Sequence, residues 1–268
     1  MKFLIKIILL SCFSFYQYVS VAQVKTYSAR NAHSHNDYSN DQPFYRAWGE
    51  GFGSIEADVF PLNGELYVAH KRDSIHKNAT LTKLYLEPLQ ALLNKSSNRK
   101  QILLVDVKEN YQLSLALLTA QLQPLKKFFS IPGEPKALTI LISGSRPLPT
   151  EYKNYPGYIF FDDDLMKPHT QEQWKRVGMV SLDFKIFSKW KGIDTIPEEE
   201  QKRLLAIVNS VHAAGKPIRF WGAPDNPTAW TALMDLGVDL IGTDKIKELS
   251  SFITNYKKTV TEHVDANK

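Results

Sequence analysis

The chain has 268 residues, 43% of them hydrophobic and 23% charged, with a formal net charge of +5. Those proportions exclude a disordered or fibrous polymer, and the basic residues are scattered without a long run, so nothing marks a nucleic-acid partner. The single cysteine, Cys12, excludes a disulfide framework, and the fold must rest on a core that a chain of this length can build.

Residues 1–22, MKFLIKIILLSCFSFYQYVSVA, carry Lys2 and Lys6, then an apolar run, then Ser20 and Ala22 ahead of Gln23. This is the layout of a secretory signal peptide. It predicts a protein exported to the periplasm or secreted, with one domain over 23–268 and no transmembrane helix in the mature chain. Cleavage before Cys12, giving a lipoprotein anchor, is the lesser alternative. Without the two leader lysines, 33 basic residues become 31 against 28 acidic ones, a mild balance that favours anionic partners weakly.

Beyond the leader, short β-rich runs alternate with segments of helical period. AHSH opens the series, followed by SIEADVF (54–60), ILLVDVK (102–108), LTILIS (138–143), YIFFDD (158–163), MVSLDF (179–184), PIRFWG (217–222) and VDLIGTD (238–244). Between several of them lie LEPLQALLN, YQLSLALLTAQLQPLKKFF, EEEQKRLLAIVNSVHAAG and PTAWTALMDLG, with apolar residues three and four apart. Gly178, Gly215 and Gly237 read as glycines closing helices ahead of the next strand. Eight strands separated by helix-length connections predict a single (β/α)8 TIM barrel. No G-x-G-x-x-G follows any strand, which argues against a dinucleotide-binding open sheet.

In such a barrel the C-terminal ends of the strands carry the chemistry. In AHSHNDY, His33 and His35 are two apart and share a strand face. Glu56 and Asp58 do the same in SIEADVF, and Asp106 and Lys108 in the next strand. Buried carboxylates are costly unless they are paired or bind a cation. Three of them, Glu56, Asp58 and Asp106, make an oxygen-rich site suited to Mg²⁺ or Ca²⁺. The bland reading is a structural network in which Lys108 neutralises a carboxylate. The Asn63-Gly64 turn folds a short strand ending at His70 back toward the acidic pair. His76, His169, His212 and His263 read as ordinary surface or core residues.

This ordered set resembles the phosphatidylinositol-phospholipase-C-like phosphodiesterase superfamily, which includes glycerophosphodiester phosphodiesterases and sphingomyelinase D toxins. The resemblance rests on a histidine near the end of strand 1, E-x-D on strand 2, a histidine about fourteen residues on, and Asp106-Val107-Lys108. The runs AHSHNDY, SIEADVF, LYVAH, ISGSRP, FFDDD and RFWGAPD are similar to those of its "altered inheritance of mitochondria" type branch. The resemblance implies Glu56, Asp58 and Asp106 as metal ligands, His70 as one catalytic histidine and Lys108 as a phosphate contact. Alignment of AH with the AHRG of the family selects His33 as the other histidine, while loop spacing permits His35. Trp221 and Asp225 resemble an aromatic and acidic pair late in the toxin-type chains. Glycerophosphodiesterases carry Arg-Gly after the first histidine and Glu-Asn in the next loop, and both are missing here.

The expected activity is exported, metal-dependent phosphoric diester hydrolysis of a glycerophosphodiester or phospholipid headgroup by His/His acid–base catalysis. The substrate would be a phosphodiester or a phospholipid-derived small molecule. Arg146 would add positive charge at the phosphoryl oxygens and Trp221 would cover a headgroup. A tryptophan on an inward strand position is more often core. Two other readings compete: an amidohydrolase or polymerase-and-histidinol-phosphatase-like barrel binding metal through the H-x-H, and a secreted barrel that only binds a phospholipid headgroup or glycan.

Overall fold

The computed structural model describes residues 26–95 and 99–266; the leader with Cys12 lies outside them. The chain enters through β1 (Ala32–Ser34), α1 (Tyr45–Gly49), β2 (Ser54–Leu62) and β3 (Glu65–Val68). It continues through α2 (Glu87–Lys95), β4 (Gln101–Val107), α3 (Tyr111–Gln121), β5 (Leu138–Gly144) and β6 (Ile159–Asp163). The last third holds α4 (Gln171–Trp174), β7 (Val177–Asp183), α5 (Phe184–Phe187), α6 (Glu198–Ala213), β8 (Ile218–Trp221), α7 (Pro227–Asp235), β9 (Ile241–Thr243) and α8 (Ile246–Ala266).

Eight strands pair in parallel in the order β8-β7-β6-β5-β4-β2-β1-β9, and a parallel bridge between Arg219 and Leu240 closes the ring. The result is a (β/α)8 barrel. β3 stands outside the ring, antiparallel to β2 after the turn at Asn63 and Gly64. Among the described residues no helix is long and apolar enough to cross a membrane.

Two apolar layers hold the barrel. The larger packs the outer strand faces against the helices. A smaller inner plug is made of Leu104, Leu141, Phe160, Met179 and Leu240. Strand periodicity then dictates what lies above the plug, because residues two apart share a face. Leu104 is followed inward by Asp106, Leu141 by Ser143, Phe160 by Asp162 and Met179 by Ser181. Asp58 is in register with Asp106, and Asp106 with Ser143, so the polar side chains form one layer at the C-terminal end.

The two helix-closing glycines at 215 and 237 have φ of +71° and +83°, as a left-handed C′ position requires. Gly178 differs from the sequence expectation. It lies inside β7, where a Cβ would come within 2.8 Å of Leu141 Cδ1 and 3.0 Å of Phe160 Cβ, so it is a packing glycine. The long pattern after Tyr111 also divides: α3 stops at Gln121 and a 3₁₀ turn covers Gln123–Phe128, because Pro124 has no N–H to continue the helix.

Candidate active site

The loop after β1 is shaped by its own sequence. Asn36 takes the left-handed conformation (φ 46°), which asparagine tolerates, and a 3₁₀ turn over Asp37–Ser39 follows. Asp37 is fully buried and accepts from Ser34 Oγ (2.7 Å), the Phe44 N–H (2.5 Å) and Tyr85 Oη (3.1 Å). With the loop clamped this way, Tyr38 Oη reaches Asp58 Oδ2 at 2.7 Å and lies 3.3 Å from His70 Nδ1.

The two histidines of the H-x-H motif part company. His33 is fully buried, its Nδ1 2.8 Å from Ser54 Oγ and its Nε2 2.8 Å from Glu56 Oε2. Arg219, also buried, lies against the same ring nitrogen, 3.4 Å from Glu56 Oε2, and donates from Nε to Ser181 Oγ at 3.2 Å. Burial, reinforced by Arg219, pushes the His33 imidazole down to about 4, so it is neutral near pH 7. His35 instead lines the cavity, with Nδ1 2.8 Å from Asp244 Oδ1. Burial would lower its pKa, but the Asp244 hydrogen bond and the Glu56 charge outweigh it and raise the pKa.

Glu56, Asp58 and Asp106 each present a carboxylate oxygen, and all three oxygens lie within 4.8 Å of one another. Asp58 Oδ1 is buried and has no hydrogen-bond partner. An orphaned buried carboxylate oxygen beside two others is what a hard cation would satisfy, so these residues fit Mg²⁺ or Ca²⁺. Lys108 Nζ lies 2.8 Å from both Asp58 Oδ2 and Asp106 Oδ2. Burial opposes the Lys108 charge, yet Asp106 and Asp58 prevail and raise its pKa. Burial and the neighbouring Glu56 charge raise the Asp58 pKa in spite of Lys108. Gly144 (φ 68°) makes room for this cluster, since a Cβ there would overlap Asp106 Oδ1. His70 is exposed, with Nδ1 3.4 Å from Asp58 Oδ2.

A cavity of about 380 Å³ opens over this layer, lined among others by His35, Glu56, Asp106, Arg146, Asp162 and Trp221. Arg146 donates to Asp164 Oδ2 at 2.8 Å and to the Gly144 carbonyl at 3.2 Å. Trp221 lines the cavity and is half exposed, so it is not a core residue. Asp225 stands apart: its carboxylate accepts from Trp230 Nε1 (2.9 Å) and the Asp244 N–H (3.1 Å), fixing the loop that carries Asp244. Asp162 is buried at the cavity floor, and burial pushes its carboxyl up to about 6.

Sequence reasoning missed Tyr38, Arg219 and the pairing of Asp244 with His35. Arg219 had a readable signal, an arginine inside the apolar strand run PIRFW. The Asp244 contact spans 209 residues and closes only with the barrel.

The profile of the AIM6-like phosphodiesterase domain matches residues 23–101, and that of the glycerophosphoryl diester phosphodiesterase family matches 217–246. These segments contain β1 to β3 and β8 to β9, the two sides that meet at His35 and Asp244. An altered inheritance of mitochondria protein 6 homolog from Arthroderma benhamiae is 28% identical over 267 residues, covering 82% of each chain. Altered inheritance of mitochondria protein 6 from Eremothecium gossypii is also 28% identical, covering 82% of this chain and 68% of the relative. Among solved structures, a glycerophosphodiester phosphodiesterase from Parabacteroides distasonis superposes with a TM-score of 0.54 at 14% identity, over 85% of this chain and 96% of the other. That likeness shows the fold.

Proposed function

We propose that the chain, similar over residues 23–101 to the AIM6-like phosphodiesterase domain and over 217–246 to the glycerophosphoryl diester phosphodiesterase family, is an exported, divalent-metal-dependent phosphoric diester hydrolase of the phosphatidylinositol-phospholipase-C-like superfamily. Its substrate is a glycerophosphodiester or a phospholipid headgroup. The observation that carries this reading is the carboxylate cluster of Glu56, Asp58 and Asp106 beside the His35–Asp244 pair at the barrel mouth. Export follows from the leader, and the mature chain would then work in a periplasm or outside the cell.

Glu56, Asp58 and Asp106 would hold the ion, which when bound neutralises charge on the phosphoryl oxygens. Lys108 and Arg146 add positive charge around the same oxygens. His35, oriented by Asp244, takes the proton from water or from a neighbouring substrate hydroxyl as its oxygen attacks phosphorus. His70, held near Asp58 by Tyr38, donates a proton to the departing alkoxide oxygen. Water as nucleophile gives a phosphomonoester and an alcohol. An internal hydroxyl gives a cyclic phosphate first. In this scheme His33 does not meet substrate; it fixes Glu56 from beneath.

The rival H-x-H metal clamp has less support. His33 Nε2 is directed at Glu56 and His35 Nδ1 at Asp244, and among the described residues the cluster with ligand spacing contains no histidine. A barrel that only binds headgroups would not need the His35–Asp244 pair. The test is a panel of phosphodiesters, phosphomonoesters and carboxylic esters offered to the parent protein and to Asp106→Asn. Phosphodiester turnover that falls at least about a hundredfold in the variant supports the reading. Turnover confined to carboxylic esters would overturn it.

A further inference from the structure

Large apolar side chains exposed to water are ordinary when they are scattered. Here Leu165, Met166, Ile186, Ile193 and Trp221 are exposed on three neighbouring stretches, the loops after β6 and β7 and the end of β8. All three lie at the C-terminal end of the barrel: Asp164 and Trp221 line the cavity, and Lys185, Lys189 and Lys191 border a neighbouring cleft with Gly222 and Pro224. Met166 is 76% exposed, Ile186 74% and Ile193 69%, the largest such values among the described large hydrophobic residues. Because β6, β7 and β8 are neighbours in the sheet, these side chains give that end of the barrel an apolar rim.

The outward aim of the rim is built into the loop. Within 184–196, Phe184, Trp190 and Ile196 are buried while Ile186 and Ile193 between them are not. Phe184 and Phe187 pack edge-on against Phe220, with ring centroids 6.0 and 5.9 Å away. Glu200 Oε2 accepts from the backbone N–H of Lys189 (3.0 Å) and Trp190 (3.2 Å), and Trp190 Nε1 donates to the Ile193 carbonyl at 2.7 Å. A loop anchored this tightly presents its aliphatic side chains outward by construction.

The charge of the rim narrows the partner. Lys167, Lys185, Lys189 and Lys191 are exposed on the same two loops. Of the acids beside them, Asp164 is paired with Arg146, and Asp163 and Asp183 accept backbone N–H groups of their own loops. Asp194 is the remaining exposed carboxylate there. Aliphatic side chains fringed by lysines match an anionic lipid surface, where apolar tips enter the headgroup boundary and ammonium groups meet phosphates.

We propose that this rim is a membrane-docking surface that seats the barrel mouth on an anionic phospholipid bilayer. It goes beyond the hydrolase reading and is tested without turnover, so either can fail alone. The purified chain is sedimented with phosphatidylcholine vesicles with and without admixed phosphatidylserine. Binding is expected mainly to the anionic vesicles, and it should weaken as salt is raised. Ile186→Glu with Ile193→Glu should lower partitioning by about tenfold or more. Lys185→Gln, Lys189→Gln and Lys191→Gln should each lower it about fivefold, on anionic vesicles only. Turnover of a soluble phosphodiester, or unchanged thermal unfolding if the parent is inactive, shows that the variants are intact. The proposal is overturned by parent protein that stays in the supernatant, or by variants that bind as well as the parent. It is overturned as well by a concentration-dependent dimer in sedimentation velocity that the Ile variants abolish, which would give the rim to a second copy of the chain.

Discussion

Alanine at His33 and alanine at His35 should produce opposite phenotypes, although the two are one residue apart. His33 is fully buried and lies within hydrogen-bonding distance of Ser54 and the Glu56 carboxylate. Losing a hydrogen bond to a buried charged partner costs about 1.5–3 kcal/mol, and a neutral one about 1 kcal/mol. Arg219 still stands 3.4 Å from Glu56 after the change, so these two hydrogen-bond losses set the scale. Stability should therefore fall by up to about 4 kcal/mol, which for a domain of this size lowers Tm by roughly 10 °C. The side chains of His35 and Asp244 are 43% and 59% exposed, so solvent screens their pairing and His35→Ala should cost no more than about 1 kcal/mol. Its turnover, however, should fall about 10²- to 10⁴-fold. Thermal unfolding and hydrolysis of a chromogenic phosphodiester read both quantities on the same samples. A stable His33→Ala protein without activity, beside an active His35→Ala protein, would refute the assignment.

Further outcomes follow from single contacts. Tyr38→Phe removes the hydroxyl that donates to Asp58 Oδ2 and lies 3.3 Å from His70 Nδ1, so turnover should drop roughly tenfold, a loss of about 1.4 kcal/mol, with the fold retained. Gly144→Ala places a Cβ onto Asp106 Oδ1 at a positive φ; calorimetric titration with Mg²⁺ or Ca²⁺ should show weakened ion binding, and stability should fall by about 2 kcal/mol or more. Asp162 supplies a pH test. Its folded-state pKa is raised from 3.8 to about 6, so the folded state favours the protonated acid and the benefit is lost as pH rises through about 6. Asp162→Asn should accordingly gain up to about 3 kcal/mol over the parent above that pH and show no such gain below about pH 4, by chemical denaturation at each pH.

The barrel was legible because its signals are local. Seven apolar runs, several of them separated by segments of helical period, mark strands whether or not their partners are known. The period-two spacing of Glu56 with Asp58 already placed both carboxylates on one face, and the register of Asp58 with Asp106 joined them to the third. Gly178 was misread because a glycine before an apolar run signals a helix end as readily as a tight approach between strands. The H-x-H left two candidates for a physical reason. A shared strand face does not reveal depth, and in this barrel His33 sits within the polar layer while His35 emerges above it. Contacts such as Arg219 to Glu56, across 163 residues, and His35 to Asp244, across 209, are set by ring closure. They have no short-range trace. Trp221 shows the converse: an inward position next to an apolar run suggested core, but it lies at the last residue of β8, where the barrel opens.

The divalent-ion site proposed at Glu56, Asp58 and Asp106 is probed most directly by the rate of phosphodiester hydrolysis by the purified chain before chelation, after exhaustive treatment with EDTA, and after return of Mg²⁺ or Ca²⁺. Turnover should disappear on chelation with thermal unfolding little changed, and return with the ion in the parent but not in Asp58→Asn. Turnover that survives in fully metal-free protein, or that returns equally in Asp58→Asn, would contradict that site.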